Sequence, residues 1–193
     1  MKKLIKLFEF LFTYYNIYKL KLEDIEIKEL SLPKGFQFKR LTENDFYLFE
    51  ALNLKSEYLR ICNERLKSNN IIAYAIIDIQ KDCLAAYSFI NASKVYYLHA
   101  LNKKLNLEKT DCLVFEDDNT IEDYRRMGLS SYIMNERIRF AKENNKNSLG
   151  FAHPTNTPSI KTLLKYNFKK IHNFPVAIRK EAFIYLYKKY VWK

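Results

Sequence analysis

An α/β fold with a mixed, mostly antiparallel central sheet flanked by helices is what this 193-residue sequence predicts, on three observations. Short runs rich in β-branched and aromatic residues, bounded by polar turns, read as strands. Other stretches repeat their apolar residues at three-and-four spacing and read as helices. In the C-terminal half the two kinds alternate as strand, helix, strand, helix, strand, which requires crossovers. Hydrophobic residues make up 48% of the chain, enough for a core and too many for a disordered tail.

The elements follow in order. Leu4, Leu7, Phe8 and Leu11, with Tyr15 and Tyr18 further on, recur at helical spacing and predict an amphipathic helix over residues 1–20. Lys6 and Glu9 interrupt its apolar run and no small-residue cleavage site follows, so it is neither a signal peptide nor a bilayer span. Three roles stay open to it: docking on the domain, pairing with a second copy as a homodimer, or peripheral membrane contact. Pro33 and Gly35 separate this helical extension, residues 1–34, from the domain proper, residues 35–193. Phe36 to Arg40 reads as a strand, and Thr42 with Asp45 as a capping box opening a helix through Leu52. A second helix, Lys55 to Lys67, carries Tyr58, Leu59, Cys62 and Leu66 on one face. Ile71 to Ile79 and Cys83 to Asn91 form a hairpin around the polar turn Gln80 to Asp82. Val95 to Leu101 suits a short strand or a helical turn equally. Asp111 to Asp117 reads as a strand, and Met127 to Asn144 as a helix with Leu129, Ile133, Met134, Ile138 and Ala141 facing the core. Ser148 to Ala152, Ser159 to Tyr166 and Phe168 to Ile171 continue as strand, helix and strand, and Ala182 to Tyr190 closes as a last strand.

The formal charge of +11 suits an anionic partner, though many lysines of such a chain simply solvate its surface. Charge alone points to nucleic acid, with no recognition helix or basic-aromatic signature beside it, so nucleic acid is not expected as a partner. Cys62, Cys83 and Cys112 are odd in number, far apart and set in apolar runs, which predicts buried thiols in a reducing, cytoplasmic compartment. No Cys/His ligand spacing occurs, so no metal is expected.

The chemistry is concentrated in Tyr124-Arg125-Arg126-Met127-Gly128-Leu129-Ser130-Ser131, after a strand and at the mouth of a helix. A helix N-terminus offers unpaired N–H groups and partial positive charge to phosphate oxygens. Gly128 lets the backbone approach a ligand, Ser130 and Ser131 are small and donate, and Arg125 and Arg126 add forked donors. The tract reads as a diphosphate cradle.

Arg125-x-x-Gly128-x-Ser130 resembles the pyrophosphate signature of the GNAT acyltransferase superfamily, Arg/Gln-x-x-Gly-x-Gly/Ala, with serine in the last small position. His153-Pro154-Thr155-Asn156-Thr157-Pro158-Ser159 and Lys165-Tyr166-Asn167-Phe168 are similar to that family's next strand, turn, helix and ending. The resemblance implies a GNAT fold with two central strands splayed apart, and acetyl-coenzyme A or another acyl-coenzyme A as co-substrate. It implies transfer to the amine of a small molecule, with a weaker similarity to members of bacterial surface-polysaccharide assembly pointing to an amino sugar or sugar nucleotide. By the same resemblance Asn119, Thr120 and Ile121 face the pantetheine arm, Arg126, Met127, Gly128, Leu129, Ser130 and Ser131 hold the pyrophosphate with Arg125, and Asn156 contacts the cofactor. A helix N-cap is the equal alternative for Asn156.

Attack by an amine on a thioester needs a base, and Glu116, Asp117 and Asp118 end the strand beside the acyl group. Alternation places Glu116 and Asp118 together, and these are the catalytic candidates; clustering raises carboxylate pKa values, which suits a base. A solvated acidic loop, or carboxylates holding a cationic acceptor, are the other readings. His153 is the alternative base. Many family members carry a tyrosine acid where this chain has Leu163; Tyr166, three residues on, reads as a core or surface aromatic. A non-catalytic acyl-coenzyme A sensor or interaction module is therefore the second reading.

Overall fold

The computed structural model describes residues 12–13, 16–98, 103–173 and 177–178. In chain order the strands are β1 (Phe12–Thr13), β2 (Asn16–Leu20), β3 (Phe36–Leu41), β4 (Ile71–Asp78), β5 (Cys83–Asn91), β6 (Val95–Leu98), β7 (Lys103–Asn106), β8 (Cys112–Thr120), β9 (Asn147–Ala152), β10 (Lys169–Asn173) and β11 (Ala177–Ile178). The helices are α1 (Tyr47–Glu50), α2 (Ser56–Lys67), α3 (Leu107–Thr110), α4 (Leu129–Glu143) and α5 (Thr157–Lys165). Seven strands form one sheet in the order β10-β2-β9-β8-β5-β4-β3, antiparallel throughout except for the parallel pair β8 and β9. A crossover through α4 joins that pair, as parallel strands require.

Both faces of the sheet are covered, which is why β4 and β5 are continuous apolar runs rather than alternating ones. On one face Ile133, Met134, Ile138 and Ala141 of α4 pack with Ile72, Tyr74, Ile76 and Phe115 of the sheet. On the other, Leu48 and Phe49 of α1 and Cys62 of α2 pack with Ala73, Ala75, Tyr87 and Phe89. The hairpin β6–β7 and α3 extend that second layer over Ile17, Val114 and Leu149. The capping box forms as expected: Asp45 Oδ2 accepts from the Thr42 N–H at 2.9 Å and hydroxyl at 3.0 Å, and Lys39 Nζ stands 2.5 Å from Oδ1. Val95 to Leu98 resolves as strand β6.

The amphipathic helix over residues 1–20 is corrected over its described part. Residues 1–11, with Leu4, Leu7, Phe8 and Leu11, lie outside the described residues, as does the strand expected from Ala182 to Tyr190. Asn16–Leu20 is a strand seated between β9 and β10, antiparallel to both. Its side chains go to opposite faces, Ile17 to the hairpin layer and Tyr18 and Leu20 to the α4 layer. The long-range ladder overrides the local helical spacing. Beyond β2 the chain makes one 3-10 turn, Leu22–Asp24, and then runs extended against α4. There the buried Asn135 amide accepts from the Lys28 N–H at 2.8 Å and donates to the Lys28 carbonyl at 2.9 Å. No helix among the described residues is long and apolar enough to cross a membrane.

Candidate active site

The parallel pair opens in mid-sheet. β8 and β9 pair from Cys112 with Asn147 to Phe115 with Gly150, and there the ladder ends although β8 continues to Thr120. A bulge accompanies the opening: Tyr87 opposes Asn119 and Phe89 opposes Glu116, so Asp117 and Asp118 together face Ser88. Asp117 takes a left-handed φ of 45°, the conformation that admits the extra residue.

That bulge corrects the expected pairing of Glu116 with Asp118. Glu116 Oε2 accepts from Arg65 of α2 at 2.6 Å, and Arg65 also bonds Asp117, whose Oδ2 accepts from the Tyr58 hydroxyl at 3.1 Å. Asp118 turns to the opposite layer, where it and the Ser88 hydroxyl meet the Arg137 guanidinium of α4. An extra residue in the strand resets the alternation, so Glu116 and Asp117 share the α2 layer. Burial raises the Glu116 carboxyl above its ordinary value, more than the adjacent Arg65 lowers it. Burial also opposes the charge of Arg65, but Asp117 and Glu116 together hold it firmly protonated.

The open edge is closed off by the start of α4. Tyr124 anchors the approach: it is buried edge-on to Phe36, and its hydroxyl donates to Asp78 at 2.9 Å. Arg126 and Gly128 then take left-handed φ values of 68° and 80°. The first bond of the helix runs from the Tyr132 N–H to the Gly128 carbonyl at 3.1 Å, so the N–H groups of Leu129, Ser130 and Ser131 precede it and point out of the helix end. A side chain on Gly128 would meet no protein atom within 4 Å; the space over it is open. Arg125, Arg126 and Met127 are exposed beside it. Open space, free donors and two guanidinium groups fit a diphosphate.

Between this helix end and the splayed strands lies a cavity of about 360 Å³, within the range of small-molecule sites. Phe115, Asp118, Ser130, Arg137, Asn156 and Leu163 contribute to its wall.

No family model and no curated protein matches the sequence. Solved structures do. The fold is similar to a tandem GNAT protein from the clavulanic acid biosynthesis pathway, with a TM-score of 0.64 and 11% identity over 86% of this chain and 52% of that one. It is similar to an aminoglycoside acetyltransferase from an uncultured soil metagenomic sample, solved with sisomicin, at a TM-score of 0.51 and 14% identity over 75% and 97% of the two chains. It is also similar to AAC(6')-Iy in complex with the bisubstrate analogue CoA-S-monomethyl-acetylneamine, at a TM-score of 0.54 and 11% identity over 75% and 97%. The chain has the GNAT fold. It spans about half the length of the tandem protein.

On this GNAT frame the expected residues divide. Ser130, Asn156 and Asp118 come together at the cavity, while Glu116 faces the α2 layer on the far side of the bulge. Among Asn119, Thr120 and Ile121, the Ile121 N–H is committed to the Ala85 carbonyl at 2.9 Å and the Asn119 amide to the Tyr87 hydroxyl at 3.0 Å. Thr120 pairs with Ala86, and its carbonyl accepts from Arg125 Nε at 3.4 Å. Asn156 caps α5, accepting from the Ser159 N–H at 3.2 Å. His153 braces the same turn, its Nδ1 2.7 Å from the Thr155 hydroxyl. Tyr166 is buried, and its hydroxyl donates to the Ser131 carbonyl at 2.7 Å, so it buttresses the first turn of α4. Leu163 fills the wall, admitted by Gly150, where an added Cβ would stand 2.7 Å from Leu163 Cδ2.

Arg137 and Arg65 contact the acidic run, and the sequence reading singled out neither. Arg137 sits on the apolar face of α4 beside Ile133, Met134 and Ile138, and an arginine in that stripe was the available signal. It is 1% exposed, lies 4.2 Å from the Phe115 ring centre, and burial lowers its pKa. Arg65 carried no such signal, since it lies 51 residues from Glu116. Among the described residues no group of three or more His, Cys, Asp or Glu is placed to hold a metal.

Proposed function

We propose that this chain is an acyl-coenzyme A-dependent N-acyltransferase, moving an acyl group, acetyl in the simplest case, to the amine of a small molecule such as an amino sugar. One observation supports the reading: the opened edge of β8, through Phe115, Asp117 and Asp118, and the mouth of α4, through Ser130, line a single cavity. The bisubstrate analogue held by AAC(6')-Iy and the sisomicin held by the metagenomic acetyltransferase support an amine as acceptor.

Acyl-coenzyme A supplies the activated acyl group as a thioester. The N–H groups of Leu129, Ser130 and Ser131, with Arg125 and Arg126, hold its pyrophosphate, and Asn156 orders the facing turn. Glu116 accepts the proton that the amine must lose as the new C–N bond forms and the C–S bond breaks. Its raised pKa brings it closer to the operating pH than an exposed carboxylate would be. Asp118 is spent on Arg137 and shapes the wall rather than moving a proton. No acid is needed from the chain, because a coenzyme A thiol leaves as its thiolate.

A second reading rests on Leu163 and Tyr166. With leucine in the wall and the phenol committed to Ser131, the same cavity would serve a sensor that binds acyl-coenzyme A without turning it over. Calorimetry with coenzyme A, followed by free-thiol release from acetyl-coenzyme A across amines and amino sugars, tests both. Binding with turnover is expected; binding with none on any acceptor establishes the sensor, and no heat at millimolar coenzyme A overturns the two together.

A further inference from the structure

One residue of β8 is held in a conformation that its strand neighbours do not share. Six described residues other than glycine take a left-handed φ, and five of them lie between elements. Asp117, at φ 45°, is the sixth, and it stands inside a strand. A bulge with a left-handed residue ordinarily uses glycine there, because a side chain is strained at that φ. Such a conformation persists only where the surroundings over-determine it, and it collects at functional sites.

The surroundings here are specific. Helix α2 presents Tyr58 and Arg65, seven residues apart and so on one face, to the Asp117 carboxylate. Downstream, the Asn119 amide donates to the buried Tyr87 hydroxyl at 3.0 Å, and the Asp118 carboxylate meets Arg137. Every residue from Glu116 to Asn119 therefore has its side chain tied to another element. Arg65 binds both Glu116 and Asp117, whereas the Tyr58 hydroxyl, at 3.1 Å, bonds Asp117 alone of the two. Burial and the Asp117 charge push the Tyr58 phenol well above its ordinary pKa. It keeps its proton and serves Asp117 as a donor, not as an acid.

The consequence reaches the cavity. A regular strand would return Glu116 and Asp118 to one layer, as alternation requires. The bulge instead keeps Glu116 with Arg65 and sends Asp118, which lines the cavity, to Arg137. We propose that Tyr58 is a positioning residue for acyl transfer: its hydroxyl holds Asp117 left-handed, which keeps the proton acceptor and the cavity wall in register. The assignment rests on the acyltransferase reading, with Glu116 as the base.

The test is a pair of double-mutant cycles on the full chain. Asp117→Gly removes the carboxylate but adopts the left-handed φ freely, so it makes the Tyr58 hydroxyl dispensable. The first cycle reads thiol release from acetyl-coenzyme A across the same amines and amino sugars. Tyr58→Phe should lower kcat about tenfold, the low end for a hydrogen bond to a charged group, since the Asp117 side chain is 40% exposed. The KM for acetyl-coenzyme A and the coenzyme A affinity by calorimetry should not change. In the Asp117→Gly background the same substitution should cost little further kcat. Asp117→Ala, which lacks the carboxylate and resists that φ, should turn over more slowly than Asp117→Gly. The second cycle uses chemical denaturation and needs no substrate. Tyr58→Phe should lower the midpoint of the wild type and spare that of Asp117→Gly, and Asp117→Gly should outlast Asp117→Ala.

An equal loss of kcat in both backgrounds would mean that Tyr58 acts by another route, and overturns the proposal. So does a fall in coenzyme A affinity that matches the fall in kcat, or an Asp117→Ala variant as stable and active as Asp117→Gly. A wild type that turns over no acceptor overturns the acyltransferase reading instead, and the denaturation cycle then judges alone whether Tyr58 holds the bulge.

Discussion

The two layers that meet at the bulge are built from opposite kinds of sequence. The α4 side draws its proposed phosphate donors from one contiguous tract, Tyr124 to Ser131, in which a strand's end, a left-handed glycine and a helix mouth follow in order. The ion-pair cluster against α2, Arg65 with Glu116 and Asp117, is brought together only by folding. A site that binds an invariant group such as a diphosphate can be written locally, because main-chain N–H groups do the binding. A cluster written in side chains from separate elements leaves little trace in any one stretch.

The largest expected effect separates the two sides directly. Glu116→Gln should lower kcat by about 10²–10⁴-fold, the usual worth of a positioned base, while calorimetry shows coenzyme A affinity unchanged. A variant that retained wild-type turnover would remove Glu116 from the chemistry and leave the cavity as a binding site alone.

Gly128→Val attacks the other side. At φ 80° any side chain is strained, by about 1–3 kcal/mol and more for a β-branched one, and its Cβ enters the open space that the phosphates would need. That strain lowers stability; coenzyme A affinity should fall about tenfold or more, the loss of one hydrogen bond to a charged phosphate at about 1.5–3 kcal/mol, with circular dichroism retaining the native signal. Unaltered affinity would detach the cradle from the cofactor.

These contrasts also explain what could be read in advance. The capping box at Thr42 and Asp45, the hairpin β4–β5 and the helix through Ile133 and Ile138 all depend on neighbours within a few residues, and each appears as expected. Strand β2 does not. Its local pattern suits a helix, and its partners, Ser148 to Ala152 and Lys169 to Asn173, lie more than a hundred residues away. The faces of the acidic run were misjudged for a related reason: alternation holds only while the ladder is regular, and the bulge at Asp117 is a property of how β5 and β8 meet.

Arg137 tests whether the cavity's floor is structural. Its Nη1 meets Ser88 and Asp118, yet its Nε is buried without a partner, so the guanidinium is only partly compensated. Arg137→Met should lower the unfolding free energy by about 1–3 kcal/mol in chemical denaturation, because Asp118, 37% exposed, is left to recruit water. Adding Asp118→Asn should recover most of that loss. Failure to recover would mean that Arg137 stabilises through Phe115 and packing instead.

The smallest effect is a shift rather than a loss, and it sharpens the role of the bulge. Arg65 lowers the Glu116 pKa while burial raises it. Removing the guanidinium leaves burial and the Asp117 charge, both of which favour the protonated carboxyl. A base acts when deprotonated, so kcat/KM should rise with pH along an acid limb set by Glu116, and Arg65→Met should move that limb to higher pH. Activity would then be depressed most at the acid end and converge on the wild type as pH rises past both limbs. Arg60→Met is the matched control: its partner Glu64 is 62% exposed and water screens the pair, so the limb should stay in place. A limb that ignored Arg65 would mean that the proton leaves the amine by way of another group, and the two sides of the bulge would have to be assigned afresh.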